Sequence, residues 1–178
     1  MNITNERKLA VRATALGNSA NADAFVELTG LIHSASPLVR RLAASAIGKL
    51  AGIVPADSAV DTLMPLLGDD HPQVRQYSAK ALGAFGTGAQ KALSDLRDIY
   101  KNPNEKTYVK RSVLAAGKTI RESMRSRSNM RNANAADAAK PFQRTSTPGR
   151  KEHFSACSAT SASTRSMWIA ATSTPKLS

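Results

Sequence analysis

Two stretches of the chain are copies of one another at a fixed offset. Pro37 to Leu50 reads PLVRRLAASAIGKL, and Pro72 to Phe85, 35 residues on, reads PQVRQYSAKALGAF. Pro, Val, Arg, two alanines and a glycine recur at the same places, and Ile47 answers to Leu82. Self-similarity at a period of this size is the mark of a repeat array. Each unit is one supersecondary element that cannot bury its apolar face alone, so it stacks on its neighbours.

Each copy forms the second half of a helical pair. A first helix is predicted over about Ala22 to His33, with Asn21 as N-cap and Phe25, Leu28, Leu31 and Ile32 on one stripe. Ser36 then caps a second helix opened by Pro37, whose missing N–H costs nothing at the first helical position. A turn this short makes the two helices antiparallel. The next pair has Val60, Leu63, Met64 and Leu67 inward on a helix starting at Asp57 or Ser58, followed by Val74, Tyr77, Ser78, Ala81, Leu82 and Phe85. A third and looser pair spans Ala89 to Tyr100 and Thr107 to Ile120. There Leu114 and Lys118 replace Ala79 and Gly83, so the array is expected to end. The opening segment, Asn5 to Leu16, reads as a half-repeat or cap with Leu9, Ala13 and Leu16 inward.

Composition fits closely spaced helices, since aromatics make up 4% of the 178 residues and alanine is abundant. No apolar run reaches the roughly 18–20 residues of a membrane span. The N-terminal stretch has no apolar h-region, so a cytoplasmic protein without membrane contact is expected. Cys157 is the single cysteine, which excludes an intrachain disulfide. The net charge is +12, but residues 124–178 hold nine Lys/Arg against two Asp/Glu, so much of the excess belongs to the C-terminal segment.

Residues 22–121 resemble HEAT repeats of the short type named after phycobilisome lyases. The carrying motifs are the two 14-residue copies and the Asp69-Asp70 pair just before the second. The resemblance implies an all-α solenoid of about three helical hairpins in a right-handed stack, residues 1–123, with second helices lining a concave face. It is specific for fold and unspecific for function. Members similar to deoxyhypusine hydroxylase hold iron through His-Glu pairs, whereas His33, His71 and His153 are followed by Ser, Pro and Phe. The aromatic cleft and acidic catalyst of a glycosylase on this scaffold are absent from the repeats, as is any sign of a bilin site. No phosphate loop or G-x-S-x-G is present. No enzyme activity, metal or cofactor is therefore expected.

Two basic stripes run along the second helices. Arg40, Arg75 and Lys110 recur once per repeat and form a ladder. Because Ala44, Ala79, Gly48 and Gly83 lie on the same side, the ladder is read as structural, with guanidinium groups bonding carboxylates or carbonyls near Asp69-Asp70. The alternative is a grip on a phosphate backbone. The neighbouring stripe, Arg41, Lys49, Gln76, Lys80 and Arg111, points away from the core. On the concave face it would form a mildly basic groove for a partner, and the competing reading is an ordinary solvated face.

Periodicity ends at Met124. Residues 124–178 hold 16 Ser/Thr and three prolines with scattered apolar residues, a composition expected to stay disordered. The segment is read as a basic arm or as an out-of-frame ending. Codons permitted for Ser155 to Leu177, read two bases later, allow a Cys-containing ending like that of some bacterial HEAT-repeat proteins, and the coding DNA decides between the two. Taken together, the residues predict a monomeric protein-interaction scaffold with an unnamed protein partner. The alternative is a nucleic-acid binder using arm and groove, and an accessory subunit of a lyase ranks third.

Overall fold

The computed structural model describes residues 3–138. Those residues form seven α-helices: α1 (Ile3–Asn18), α2 (Ala24–Leu31), α3 (Pro37–Lys49), α4 (Ala56–Leu63), α5 (Pro72–Ala84), α6 (Leu93–Lys101) and α7 (Thr107–Ala138). Single 3₁₀ segments, Met64–Gly68 and Gly86–Ala92, follow α4 and precede α6. The described residues contain no strand, only an isolated bridge between Ala51 and Val54 around Gly52, whose φ is +86°. The fold is an all-α stack of helical hairpins.

The helices form two layers. α1, α3, α5 and α7 pack one on the next, while α2, α4 and α6 lie behind α3, α5 and α7. Fully buried Leu28, Val39, Ile47, Leu63, Leu82, Leu96 and Ile120 fill the space between the layers. Burying each such side chain is worth roughly 1.5–3 kcal/mol.

Along the inner layer, spacing is set by glycine meeting alanine. A Cβ on Gly17 would come within 2.7 Å of Ala46 Cα, one on Gly48 within 2.9 Å of Ala81 Cα, and one on Gly83 within 3.2 Å of Ala116 Cα. Three successive helix pairs thus touch backbone to backbone at the same register. α1 occupies the second-helix place of an incomplete repeat, and its buried residues are Ala10, Ala13 and Gly17 instead of Leu9 and Leu16, which are half-buried.

Local departures from the expected elements have identifiable causes. α3 starts as its residues dictate, with the Ser36 side chain accepting from Val39 N and Pro37 in the first turn. Asn21 does not cap α2, because its Oδ1 accepts from Asp23 N at 3.0 Å in a tight turn. α4 begins at Ala56, behind Pro55. It gives way to a 3₁₀ turn at Met64–Gly68, where Pro65 cannot donate, and this turn buries Leu66 and leaves Met64 half-buried. The helix expected from Ala89 is a 3₁₀ segment up to Ala92, with non-helical φ/ψ at Ala89, and only then α6.

α7 does not stop near Ile120. It continues to Ala138, so residues 124–138, expected to lie in a disordered segment, are helical. No Gly or Pro lies between Ile120 and Ala138 to break the helix. Met124 still packs on the core, and Arg127 Nη1 donates to Thr87 Oγ1 at 3.4 Å. Residues 139–178, with Cys157, His153 and most of the 124–178 segment read as a basic arm or out-of-frame ending, lie outside the described residues.

Candidate functional site

Two sets of side chains stand on the second helices, and their surroundings differ. The first is the Arg ladder. Arg40 donates from Nε and Nη2 to the two carboxylate oxygens of Asp69, at 2.7 and 2.9 Å. Its Nη1 donates to the carbonyls of Ser34 and Ala35. Arg75 repeats the arrangement one unit on, with Nε and Nη2 each 2.8 Å from Glu105 and Nη1 on the carbonyls of Asp69 and Asp70. Asp69 therefore joins both rungs, its carboxylate to Arg40 and its carbonyl to Arg75.

The acid of the second rung sits one position later than the first would imply. Asn104, 35 residues after Asp69, has no charge to offer, and Glu105 reaches the same guanidinium with one more methylene. Burial pushes the Asp69 and Glu105 carboxyls up. The guanidinium hydrogen bonds, with the backbone N–H of His71 and of Lys106, outweigh it and hold both below the usual range. Lys110, the third rung, forms no carboxylate pair among the described residues, although its charge adds to the lowering at Glu105.

The second set is the neighbouring stripe. Arg41 and Lys80 meet at Tyr77, with the guanidinium carbon 5.4 Å and the ammonium 5.1 Å from the ring centroid. Arg41 Nη1 donates to the neutral Gln73 side chain at 2.9 Å, while its Nε is buried with no hydrogen-bond partner among the described residues. Lys49 and Lys80 flank a trough of about 170 Å³ between α3 and α5, floored by Ser45, Gly48, Ala81 and Ala84. Lys49 is steadied by Asn18 Oδ1 of α1 at 2.8 Å. Gln76 and Arg111 stand apart from this group. Gln76 is engaged with Ser112 Oγ at 3.3 Å, and Arg111 is exposed on α7.

Tyr77 is the residue that sequence reasoning misplaced. It was expected inward, yet it is half-buried and forms a wall of the trough. Its equivalents are half-buried Leu42 and buried Ser112, so the position lies on the seam between core and face. A large polar-tipped ring at an otherwise Leu or Ser position was the available signal.

The third feature is the distribution of charge between layers. α3 and α5 carry five Lys/Arg and no Asp or Glu, and residues 107–121 of α7 add four more with no acid. Apart from Glu6 on α1 and the acids beyond residue 121 of α7, the carboxylates of the described residues lie on α2, α4, α6 and the turns, including Glu27, Asp57, Asp61, Asp95 and Asp98. Of the nine second-helix cations only Arg40 and Arg75 have close buried carboxylate partners; Lys118 has an exposed one, Glu122, at 3.8 Å.

Other concavities carry less chemistry. A cleft of about 970 Å³ lies between the 51–57 turn, the 84–91 segment and Arg127. An apolar hollow of about 170 Å³ between α6 and α7 is lined by Leu93, Leu96, Val113 and Gly117. It exists because Gly117 stands where the earlier repeats place Ile47 and Leu82. Among the described residues no cluster of His, Cys, Asp and Glu could hold a metal, and no helix is long and apolar enough to cross a membrane. His71 sits at the N-cap position of α5, where its backbone N–H donates to Asp69 Oδ1 at 2.8 Å.

The comparisons with known proteins agree with this geometry. A family model described as HEAT repeats matches residues 28–117, from the middle of α2 into α7. No curated protein matches the chain.

Proposed function

The chain belongs to the HEAT-repeat family, and from that premise we propose that it is a non-enzymatic scaffold that binds a protein partner on its second-helix face. The observation that carries this reading is the basic, carboxylate-free surface of α3, α5 and the first half of α7. On it Arg41, Lys49, Lys80 and Arg111 are left over from the structural ladder, with Gln76 on the same stripe and engaged by Ser112. Repeat arrays recognise partners along such extended faces because each unit adds a register-equivalent set of side chains. Cytoplasmic location and a monomeric state belong to the same proposal.

Affinity capture from the native extract tests it. The scaffold reading expects the double variant Lys80→Glu/Arg111→Glu to lose the captured partner while Lys101→Glu, on α6, keeps it. Equal capture by both variants would sink the reading.

A second reading, nucleic-acid binding, has the +12 net charge behind it. It predicts micromolar affinity for random duplex DNA with a steep salt slope, and no binding at about 50 mM salt removes it.

A further inference from the structure

The trough between α3 and α5 is an unusual electrostatic object for a protein surface. Two cations, Arg41 and Lys80, are held against one aromatic ring, and a third, Lys49, shares the trough with Lys80 and Tyr77. No carboxylate of the described residues pairs with any of the three. Gathering like charges costs free energy that a single nearby Asp or Glu would offset. The fold supplies carboxylates where they serve stability, since Arg40, one residue before Arg41, has both oxygens of Asp69. It supplies none to Arg41, whose buried Nε has no acceptor.

We infer that the trough is a receptor for an acidic peptide segment, whose Asp or Glu side chain inserts between Lys49 and Lys80 and accepts from them, while a neighbouring acid of the same segment pairs with Arg41 beside Tyr77. This rests on the scaffold reading and names the chemistry of its partner. The size of the trough, about 170 Å³, suits one inserted side chain and falls below the roughly 300–1,000 Å³ of small-molecule sites. Its floor of Gly48, Ala81 and Ala84 lets a partner backbone approach, while the cations give charge-assisted hydrogen bonds.

Nucleic acid fits the same surface less well. The cations cluster instead of tracking a backbone, because the equivalents of Arg41, Lys80 and Lys49 in the other units are Gln76 and Arg111, Ser45 and Ala115, and Ala84 and Thr119, of which only Arg111 is charged. Tyr77 is half-buried and already has two cations on its ring, which makes it a poor platform for base stacking.

The test uses the full chain and fluorescence anisotropy with a labelled peptide repeating Glu-Glu-Ala-Ala, its Gln-Gln-Ala-Ala counterpart and a random duplex DNA, at about 50 mM salt. The acidic peptide is expected to bind about tenfold or more tighter than the neutral one. Arg41→Gln and Lys80→Gln should each weaken it roughly two- to fivefold, the worth of one partly exposed ion pair. Lys80 is exposed, so its variant reports on binding and not on folding, and Lys101→Gln on α6 should change nothing. Equal binding of the two peptides overturns the inference, as does acidic-peptide binding unaffected by Arg41→Gln and Lys80→Gln, or a preference for duplex DNA. If the acidic peptide fails while native capture still depends on Lys80 and Arg111, the acidic partner falls and the scaffold stands. If capture shows no such dependence, both fall.

Discussion

Arg40 of α3 grips the carboxylate of Asp69, 29 residues later, with two hydrogen bonds of 2.7 and 2.9 Å. The pair links one hairpin to the turn between the two helices of the next, α4 and α5, and its side chains are 18% and 8% exposed. It therefore lies between the surface pairs that contribute little and the buried pairs whose disruption strands a charge.

Breaking that pair from either side should cost about 2–3 kcal/mol, as expected for hydrogen bonds to a charged partner in a partly buried site. Urea denaturation of Arg40→Ala, Asp69→Ala and the double variant forms a closed cycle. The double variant should lose clearly less than the sum of the singles, because each single strands the other's charge. Additive losses would mean that the two side chains do not depend on each other.

Acid should unfold the array through the same acids. Asp69 and Glu105 have folded pKa values held below their ordinary ones. Unfolding raises them, so the unfolded chain binds more protons in acid, and stability must fall as pH falls. The contribution is complete above the ordinary carboxylate pKa of about 4 and disappears as pH drops through the depressed folded values. Thermal melts from neutral to strongly acidic pH should show this decline, and Asp69→Asn should flatten it. A profile of unchanged steepness in the variant would place the acid sensitivity elsewhere.

Two glycines of the inner layer should respond oppositely to alanine. At Gly48 a Cβ lands 2.9 Å from Ala81 Cα and Cβ, so the helices must part, at about 1–3 kcal/mol of overpacking. At Gly117 the nearest atoms are the Arg121 guanidinium at 3.6 Å and beyond, an ordinary contact. Alanine there should instead add roughly 0.5–1 kcal/mol by removing helical glycine. Denaturation midpoints of the two variants should move in opposite directions, and a shift of the same sign would contradict the packing register.

How much of this was legible beforehand differs by element. α3 and α5 could be read because cap, proline, apolar stripe and small residues all agree over Ser36–Lys49 and Pro72–Ala84. The bonding of Arg40 and Arg75 to the turns could be anticipated, since Asp69-Asp70 follow Arg40 by about one repeat; Glu105 could not, because it replaces Asn104 only in space. The helical residues 124–138 escaped notice because periodicity detects a buried face. Ser126, Arg127 and Met130 are exposed, so a helix there leaves no apolar stripe. Tyr77 was misplaced because the stripe gives a direction but not a depth. Whether a ring at the seam turns to the core or to Arg41 and Lys80 depends on the neighbouring repeat.

Contact between the second-helix face and the partner can be read by site-specific photo-crosslinking in cells. A photo-crosslinking residue placed at Lys80 should form a discrete partner adduct, and the same residue at Lys101, on α6, should not. Adducts from Lys101 with none from Lys80 would put the partner on the outer layer and not on the second-helix face.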